Sequence, residues 1–94
     1  MKLTNHASKR CQSRALPYPV LDLIMKLGNE ISSNRGCLIK VLNTRLLKQE
    51  FLNEIDALGI KKRSEWCEVY LVVGEDECVI TAGYRYKRLF TRVH

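Results

Sequence analysis

The chain has 94 residues, 46% hydrophobic and 28% charged, which is enough for one hydrophobic core but not for two. We therefore expect a single domain over residues 1–94. The hydrophobic fraction excludes a disordered basic tail, because such a tail lacks the apolar surface that offsets the entropy of ordering. Sixteen Lys and Arg against ten Asp and Glu give a formal net charge of +6, which excludes an acidic ion-buffering protein and favours a polyanionic partner.

The excess positive charge lies at the two ends of the chain. Residues 1–15 contain four basic residues and no acid, and residues 79–94 contain another four and no acid. The middle contains all ten acids against eight basic residues. Because the termini of a domain often lie close together, the two ends could form one positive surface. Two separately solvated ends are the alternative.

Several classes of protein are excluded by what the sequence lacks. Asp22 and Lys26 interrupt the longest apolar stretch, so no run reaches the roughly 18–20 residues that span a bilayer. The N-terminus has no apolar stretch before Lys9, so it is unlike a secretory signal, and we expect a cytoplasmic protein with no membrane partner. The four cysteines lie far apart and lack zinc-ligand spacing, so we expect no metal and no cofactor. Two disulfides are formally possible, but in a reducing compartment we expect buried thiols.

The first third of the chain predicts two helices. Thr4 is a candidate N-cap, and apolar residues recur every four positions from Leu3, which predicts a helix over about 4–15. Pro19 suits the first turn of a second helix that ends at Gly28. Residues 20–27 are apolar on nearly all sides, so this helix is either central to the core or part of a dimer contact.

The remainder predicts a hairpin, a third helix and a second hairpin. Residues 30–33 and 37–42 flank a turn that contains Gly36, and Thr44 caps a helix over about 45–58 that Gly59 ends. Strands over 66–73 and 78–87 form the last hairpin around the loop 74–77. The fold class is therefore α+β, with N-terminal helices packed on a small antiparallel sheet in the order α-α-(ββ)-α-β-β.

The register of the last hairpin follows if Val73 pairs with Cys78 across the loop. Alternate residues in 67–73 and 78–84 then face the core, Ile80 among them. The other face carries Trp66 beside Arg85. A bulge at Gly83 would reverse the facing of every residue after it.

His6, Arg10 and Arg14 are spaced by four residues, which places them on one side of the first helix, at the edge of its apolar stripe. Imidazole titrates near neutral pH and guanidinium fits phosphate oxygens, so the three side chains suit a phosphodiester or another acidic ligand. The alternative is that all three are ordinary solvated or ion-paired surface residues.

Aromatic and basic residues are interleaved over 84–88, a combination that stacks bases and binds backbone phosphates. Strand alternation separates the tyrosines from Arg85 and Lys87, so the tyrosines are more typical of half-buried packing. Trp66 is interpreted either as a stacking platform or as a cation–π partner of Arg85. The candidate nucleic-acid contacts are Lys9, Arg14, Trp66, Thr81, Lys87 and Arg88.

Residues 4–14 resemble the His-Ala-x-x-Arg-x-x-x-Arg opening of a family of small bacterial and mobile-element proteins, a domain of unknown function. Residues 23–28 are similar to the family's helix ending in Gly, and residues 79–85 are similar to its closing Val-Ile-Thr-x-Tyr-Arg strand. The family is similar in outline to the RelE and barnase-like metal-independent ribonuclease toxins. Two departures stand out: Ala15 replaces the family's usual Gly, and Ala82-Gly83 adds a residue before Tyr84-Arg85.

The resemblance implies a polar signature set of His6, Arg10, Arg14, Thr81 and Arg85. It also implies RNA as the partner and an activity without metal. In a ribonuclease, His6 would take the 2′-hydroxyl proton or protonate the leaving oxygen, while Arg10 and Arg85 would stabilise charge on the phosphorus.

Two other functions fit the same sequence. The first is a non-catalytic module that binds RNA or another polyanion, because no second convincing acid–base residue accompanies His6. The second is a protein-interaction or accessory domain, because the second helix is apolar on nearly all sides; its partner would be a second copy in a homodimer or an antitoxin-like protein. The sequence does not decide among the three.

Overall fold

The computed structural model of the protein describes residues 1–32 and 36–84. Its regular elements, in chain order, are β1 (Lys2–Leu3), α1 (Asn5–Ser13), α2 (Tyr18–Leu27), β2 (Asn29–Ser32), β3 (Leu38–Val41), α3 (Arg45–Ala57), β4 (Val69–Val73) and β5 (Cys78–Tyr84). Two short 3₁₀ helices complete the set, one before β4 (Ser64–Glu68) and one between β4 and β5 (Glu75–Glu77).

The five strands form one sheet in the order β1-β5-β4-β3-β2. β1 is parallel to β5 and the other neighbours are antiparallel. The α+β class is therefore confirmed, but the expected order omitted β1 and the sheet is mixed rather than purely antiparallel. A strand of two residues is too short to show alternation in the sequence; its pairing with Cys78 and Val79 defines it.

α1 begins at Thr4, as the capping pattern predicts. The Thr4 hydroxyl accepts a hydrogen bond from the Ala7 amide at 3.1 Å. The same hydroxyl donates to the Ile80 carbonyl at 3.0 Å, and the Thr4 amide donates to the Val79 carbonyl at 3.0 Å. Thr4 therefore starts α1 and fixes that start against β5, so the first helix and the last described strand lie side by side.

α1 ends earlier than the pattern predicts, because the chain reverses at Ala15. Ala15 has a φ of +53°, its amide donates to the Gln12 carbonyl at 3.2 Å, and the Leu16 amide donates to the Cys11 carbonyl at 2.9 Å. These two bonds form a Schellman motif, in which the left-handed position is usually Gly. Gly59, with a φ of +77°, closes α3 in the same way.

α2 lies at the centre of the core. Val20, Leu21, Leu23 and Ile24 are buried, while its polar residues, Asp22 and Lys26, form an i,i+4 ion pair at 3.2 Å. A Cβ at Gly28 would lie 2.6 Å from the Ile24 carbonyl oxygen and 3.3 Å from the Val41 backbone. Gly28 therefore ends α2 and also permits close contact with β3.

α3 adds the fully buried side chains of Phe51 and Ile55 to the same core. Leu58, which the helical spacing also places on this side, is 57% exposed because it follows the last helical residue. The cross-strand pairs from Asn29 with Val41 to Ser32 with Leu38 confirm the first predicted hairpin.

The last hairpin differs from the predicted one in its start and in its register. β4 begins at Val69 because residues 64–68 form a 3₁₀ helix, so Trp66 is not in a strand. Val73 pairs with Val79 and not with Cys78, while Val72 pairs with Thr81, which leaves Ile80 as a bulge. The reversal of facing thus occurs at Ile80 and not at Gly83.

The bulge changes which side chains face the core. Val79 is fully buried, whereas Ile80, expected in the core, is 37% exposed. After the bulge Ala82 is buried in the core cluster and Tyr84 packs against it, as the alternation predicts for these two residues. The turn between β4 and β5 has positive φ at Asp76 and Glu77. It therefore differs from the regular loop over residues 74–77 that the expected pairing of Val73 with Cys78 assumes.

Ala15→Gly should stabilise the protein by about 0.5–1 kcal/mol, because a non-Gly residue in the left-handed region costs about 1–2 kcal/mol and the greater freedom of Gly in the unfolded chain offsets part of the gain. Urea unfolding measures the change. Gly59→Ala is the matched control: open space surrounds a Cβ there, so the conformational cost alone should destabilise it. A destabilised Ala15→Gly variant would contradict the assignment.

Candidate functional site

The side chains of His6, Arg10 and Arg14 form a row along one flank of α1, as their spacing predicts. The row lies beside Ala7 and Cys11, which are buried beneath the helix. His6 and Arg14 are exposed and Arg10 is half-buried. Within the part of the chain that the structure describes, the His6 imidazole makes no hydrogen bond or ion pair. Lys9 is also exposed on α1.

The other flank of α1 borders a groove against α2. Ser8, Gln12 and Ala15 line the groove on one side and Tyr18 and Leu21 on the other. The Cys11 thiol lies at its base, and burial raises the pKa of this thiol above its usual value. The thiol is therefore protonated near neutral pH, and the charged side chains of α1 lie away from the groove.

The end of β5 lies close to the basic flank of α1. Burial and, secondarily, the negative charge of Glu65 raise the pKa of the Tyr84 hydroxyl. A hydrogen bond with Trp66 and the positive charges of Arg63 and Arg14 act in the opposite direction. α1 and the first 3₁₀ helix both contact β5, and the charges of Arg14 and Arg63 reach the Tyr84 hydroxyl at the end of this strand.

Trp66 lies in the core and not on the exposed sheet face where the sequence prediction put it. Its side chain is 6% exposed, and the Arg63 guanidinium carbon lies 5.8 Å from the centre of its ring. The cation that contacts the ring is thus a neighbour in sequence, in a turn closed by the Trp66 amide donating to the Arg63 carbonyl at 3.1 Å. A ring buried in this way packs the protein and presents little surface for stacking a base.

Thr81 lies on the opposite face of the sheet from α1. It precedes the buried core residue Ala82, so strand alternation directs the Thr81 side chain away from the helices. The structure therefore does not bring Thr81 to the row on α1. The remaining candidates, Arg85, Lys87 and Arg88, lie outside the described residues, so the pairing of His6 with Arg85 stays a prediction.

Glu68, the last residue of the first 3₁₀ helix, is paired with α3. The Lys48 ammonium lies 3.1 Å from its carboxylate. Across residues 1–32 and 36–84, no cluster of three or more His, Cys, Asp or Glu is placed to hold a metal ion. No helix in these ranges is long and apolar enough to cross a bilayer.

Sequence reasoning missed the loop before the first 3₁₀ helix as part of the site. Lys61, Lys62 and Arg63 are all exposed, and Arg63 contacts Trp66 and acts on Tyr84. Three consecutive cations beside a tryptophan are a visible signal. By itself that signal is equally typical of a solvated loop, because nothing in the sequence shows that this loop lies near the end of α1. We call Arg14 and Arg63, together with Lys61 and Lys62 beside Arg63 in sequence, the basic surface.

The raised pKa of Tyr84 predicts a loss of stability in alkali. The folded state favours the neutral phenol. The contribution of Tyr84 to the free energy of unfolding is therefore fully present below the ordinary tyrosine pKa of about 10, and it is lost as the pH rises through the higher pKa of the folded state. The free energy of unfolding of Tyr84→Phe should fall less steeply above about pH 10 than that of the wild type. Tyr18→Phe, at an exposed tyrosine, should retain the wild-type slope; identical slopes for all three proteins would contradict the prediction.

Comparison of the chain with protein-family models, with curated proteins and with solved structures finds no match in any of the three. Function is therefore inferred from the residues and the geometry of this chain.

Proposed function

We propose that the protein binds RNA through the basic surface, with the phosphate backbone as the main point of contact. The observation that carries this proposal is that α1 and the first 3₁₀ helix both pack against β5, with Arg63 over the Trp66 ring and the charges of Arg14 and Arg63 both acting on the Tyr84 hydroxyl. Arg14 and Arg63 are 49 residues apart in sequence, yet both lie near the end of β5. A cluster of exposed cations from separate parts of the chain is typical of a phosphate-binding surface.

The distribution of acidic residues supports the same function. Residues 1–15 contain no acid, so nothing within α1 neutralises its cations. Glu65 lies near Tyr84 and pairs with Arg63 at 3.3 Å, but both side chains are more than half exposed. An exposed pair of this kind contributes little and exchanges readily for a phosphate contact. The basic surface therefore keeps an excess of positive charge.

The position of α2 weakens the argument for an interaction domain. That hypothesis depends on a helix that is apolar on nearly all sides. In the structure Val20, Leu21, Leu23 and Ile24 are buried within the chain itself, and Asp22 and Lys26 occupy the remaining side. Because one chain already covers the apolar residues of α2, they do not require a partner.

Binding is favoured over cleavage because His6 stands without an orienting group in the described ranges. General acid–base catalysis needs a proton-transfer group held in a fixed orientation by its neighbours. Arg10, one turn away, would stabilise charge on phosphorus, but it cannot orient the imidazole as a carboxylate or carbonyl acceptor would. RNA is chosen over DNA because the opening motif resembles that of a family similar to ribonuclease toxins.

Arg14→Ala and Arg63→Ala should each weaken the binding of a fluorescein-labelled single-stranded RNA several-fold. For each phosphate that a variant no longer binds, the slope of log K against log salt should become shallower by about 0.7. Fluorescence anisotropy at several salt concentrations measures both quantities. Lys26→Ala is the matched control, because it removes one positive charge from α2, outside the basic surface. Equal weakening in the control, or affinity independent of salt, would overturn the proposal, and preference for single-stranded DNA would change its ligand.

Incubation with labelled RNA in EDTA separates binding from cleavage. We expect the bound RNA to remain full-length, since His6 lacks an orienting partner in the described part of the chain. Cutting by the wild type that is abolished in His6→Ala would instead assign metal-independent ribonuclease activity. Circular dichroism of the variant, whose substitution lies at an exposed position, checks that the fold is retained.

A further inference from the structure

The helices cover one face of the sheet and leave the other face to solvent. The buried side chains of α1, α2 and α3 belong to a single core, which also contains Val69, Leu71 and Val73 of β4. Because side chains alternate along a strand, Tyr70 and Val72 point to the opposite face. Both are half-buried, whereas the three core residues of β4 are buried. Within the described ranges, every α-helix therefore packs on the first face and none on the second.

The side chains that β2–β5 present on this second face carry no charge. Glu30 and Lys40, the charged residues of β2 and β3, pair with each other on the helix side, opposite Leu71. The second face is instead made of two adjoining rows, which together we call the open face: Ile31, Ile39, Val72 and Thr81 in one row, and Tyr70 and Gly83 in the other. Its edge is accessible to solvent, since Ile31 is 37% exposed.

The Tyr70 side chain extends across β5 on the open face. Tyr70 pairs with Gly83, and a Cβ at Gly83 would lie 3.3–3.5 Å from the Cε1, Cζ and Oη atoms of Tyr70. Gly83 therefore leaves room for the ring to lie over its backbone. Thr81, two residues earlier in β5, is the diagonal neighbour of Tyr70, and such neighbours are about 7–8 Å apart. One base can thus contact both the ring and the Thr81 hydroxyl.

The basic surface lies at the same end of the strands as Tyr70. Tyr70 is the second residue of β4, and its partner Gly83 directly precedes Tyr84. The charges of Arg14 and Arg63 act on the Tyr84 hydroxyl. Single-stranded RNA has charged phosphates and flat, uncharged bases, so the basic surface suits its backbone and the open face suits its bases.

A second copy of this chain fits the open face less well. β2–β5 are four to seven residues long. At about 3.3 Å per residue and about 4.8 Å between strands, the face measures a few hundred Å². A stable dimer buries about 800 Å² on each partner. The open face is thus too small to hold two copies together but large enough for one or two bases.

We infer that the open face binds a base of single-stranded RNA, stacked on the Tyr70 ring with its edge at the Thr81 hydroxyl. The inference rests on the proposed function and deepens it, because it names the strand state of the RNA and a contact to its bases. In a duplex the bases are paired and stacked on one another, so a duplex binds only through its phosphates. Binding of a single strand then has a part that depends on the bases as well as a part that depends on charge.

The test compares Tyr70→Leu with Tyr70→Phe in the full chain, using a fluorescein-labelled single-stranded RNA octamer. Leucine removes the ring and should weaken binding about tenfold, the worth of stacking one base. Phenylalanine keeps the ring and should bind within about twofold of the wild type. The dependence on salt should stay the same in both, because neither variant removes a cation.

Tyr18→Leu is the matched control, because Tyr18 is an exposed tyrosine of α2, outside the open face and the basic surface. It should bind as the wild type does. Equal affinities of Tyr70→Leu and Tyr18→Leu would overturn the inference while leaving the proposed function intact. Weakening by Tyr70→Phe as large as that by Tyr70→Leu would assign the contact to the hydroxyl and overturn stacking.

A second measurement needs no variant and so does not depend on the folding of one. An octamer of stable abasic residues keeps the phosphates and lacks the bases, so the wild type should bind it about tenfold more weakly. The ring-proton NMR signals of Tyr70 should shift upfield with the normal octamer and not with the abasic one. Equal binding of the two octamers, or unchanged Tyr70 signals in protein that binds RNA, would refute the inference alone.

Two further outcomes concern other occupants of the open face. Nuclear Overhauser contacts of the Tyr70 ring with a second copy of the chain, or with residues 85–94, in the RNA-bound protein would assign the face to that occupant and refute the inference. Failure of the wild type to bind either octamer would refute the inference and the proposed function together.

Discussion

The hydrogen bonds of Thr4 are the constraint on which the rest of the arrangement depends. One hydroxyl accepts from the first turn of α1 and donates to the carbonyl of Ile80, while the amide of the same residue donates to Val79. The helix start and the strand β5 are therefore fixed by a single side chain and its backbone. The orientation of α1 follows, and with it the direction in which His6, Arg10 and Arg14 project.

The fold is predictable from the sequence wherever a local signal reports a local structure. Threonine caps, glycine and proline punctuation and the period of apolar residues place all three helices and the first hairpin, because these features depend on neighbours within a few residues. β1 and the register of the last hairpin are not predictable, because they depend on contacts with residues far away in sequence. A two-residue strand is created by its partner, and the Ile80 bulge is compatible with the same apolar alternation as a regular ladder.

The candidate site is also predictable only where its residues are close together in sequence. The row on α1 follows from residue spacing alone, since one helix holds all of it. The contribution of Arg63 depends on the path of a loop 49 residues away from Arg14, and no period in the sequence reports that proximity. The prediction for Trp66 was wrong because an aromatic residue just before a strand has the same pattern as the strand itself. The structure instead places the residue within a 3₁₀ helix, with its ring in the core.

The bulge at Ile80 decides which surface of the protein receives the end of β5. In a regular ladder continued from the pair of Val73 with Val79, Thr81 and Gly83 would face the helices and Tyr84 would face the other side of the sheet. The extra residue exchanges these sets, so Tyr84 comes to lie beside Trp66 and Arg63. In evolutionary terms, the gain or loss of one codon at this point moves a tyrosine from one side of the sheet to the other, and so changes its neighbours, without the substitution of any other residue.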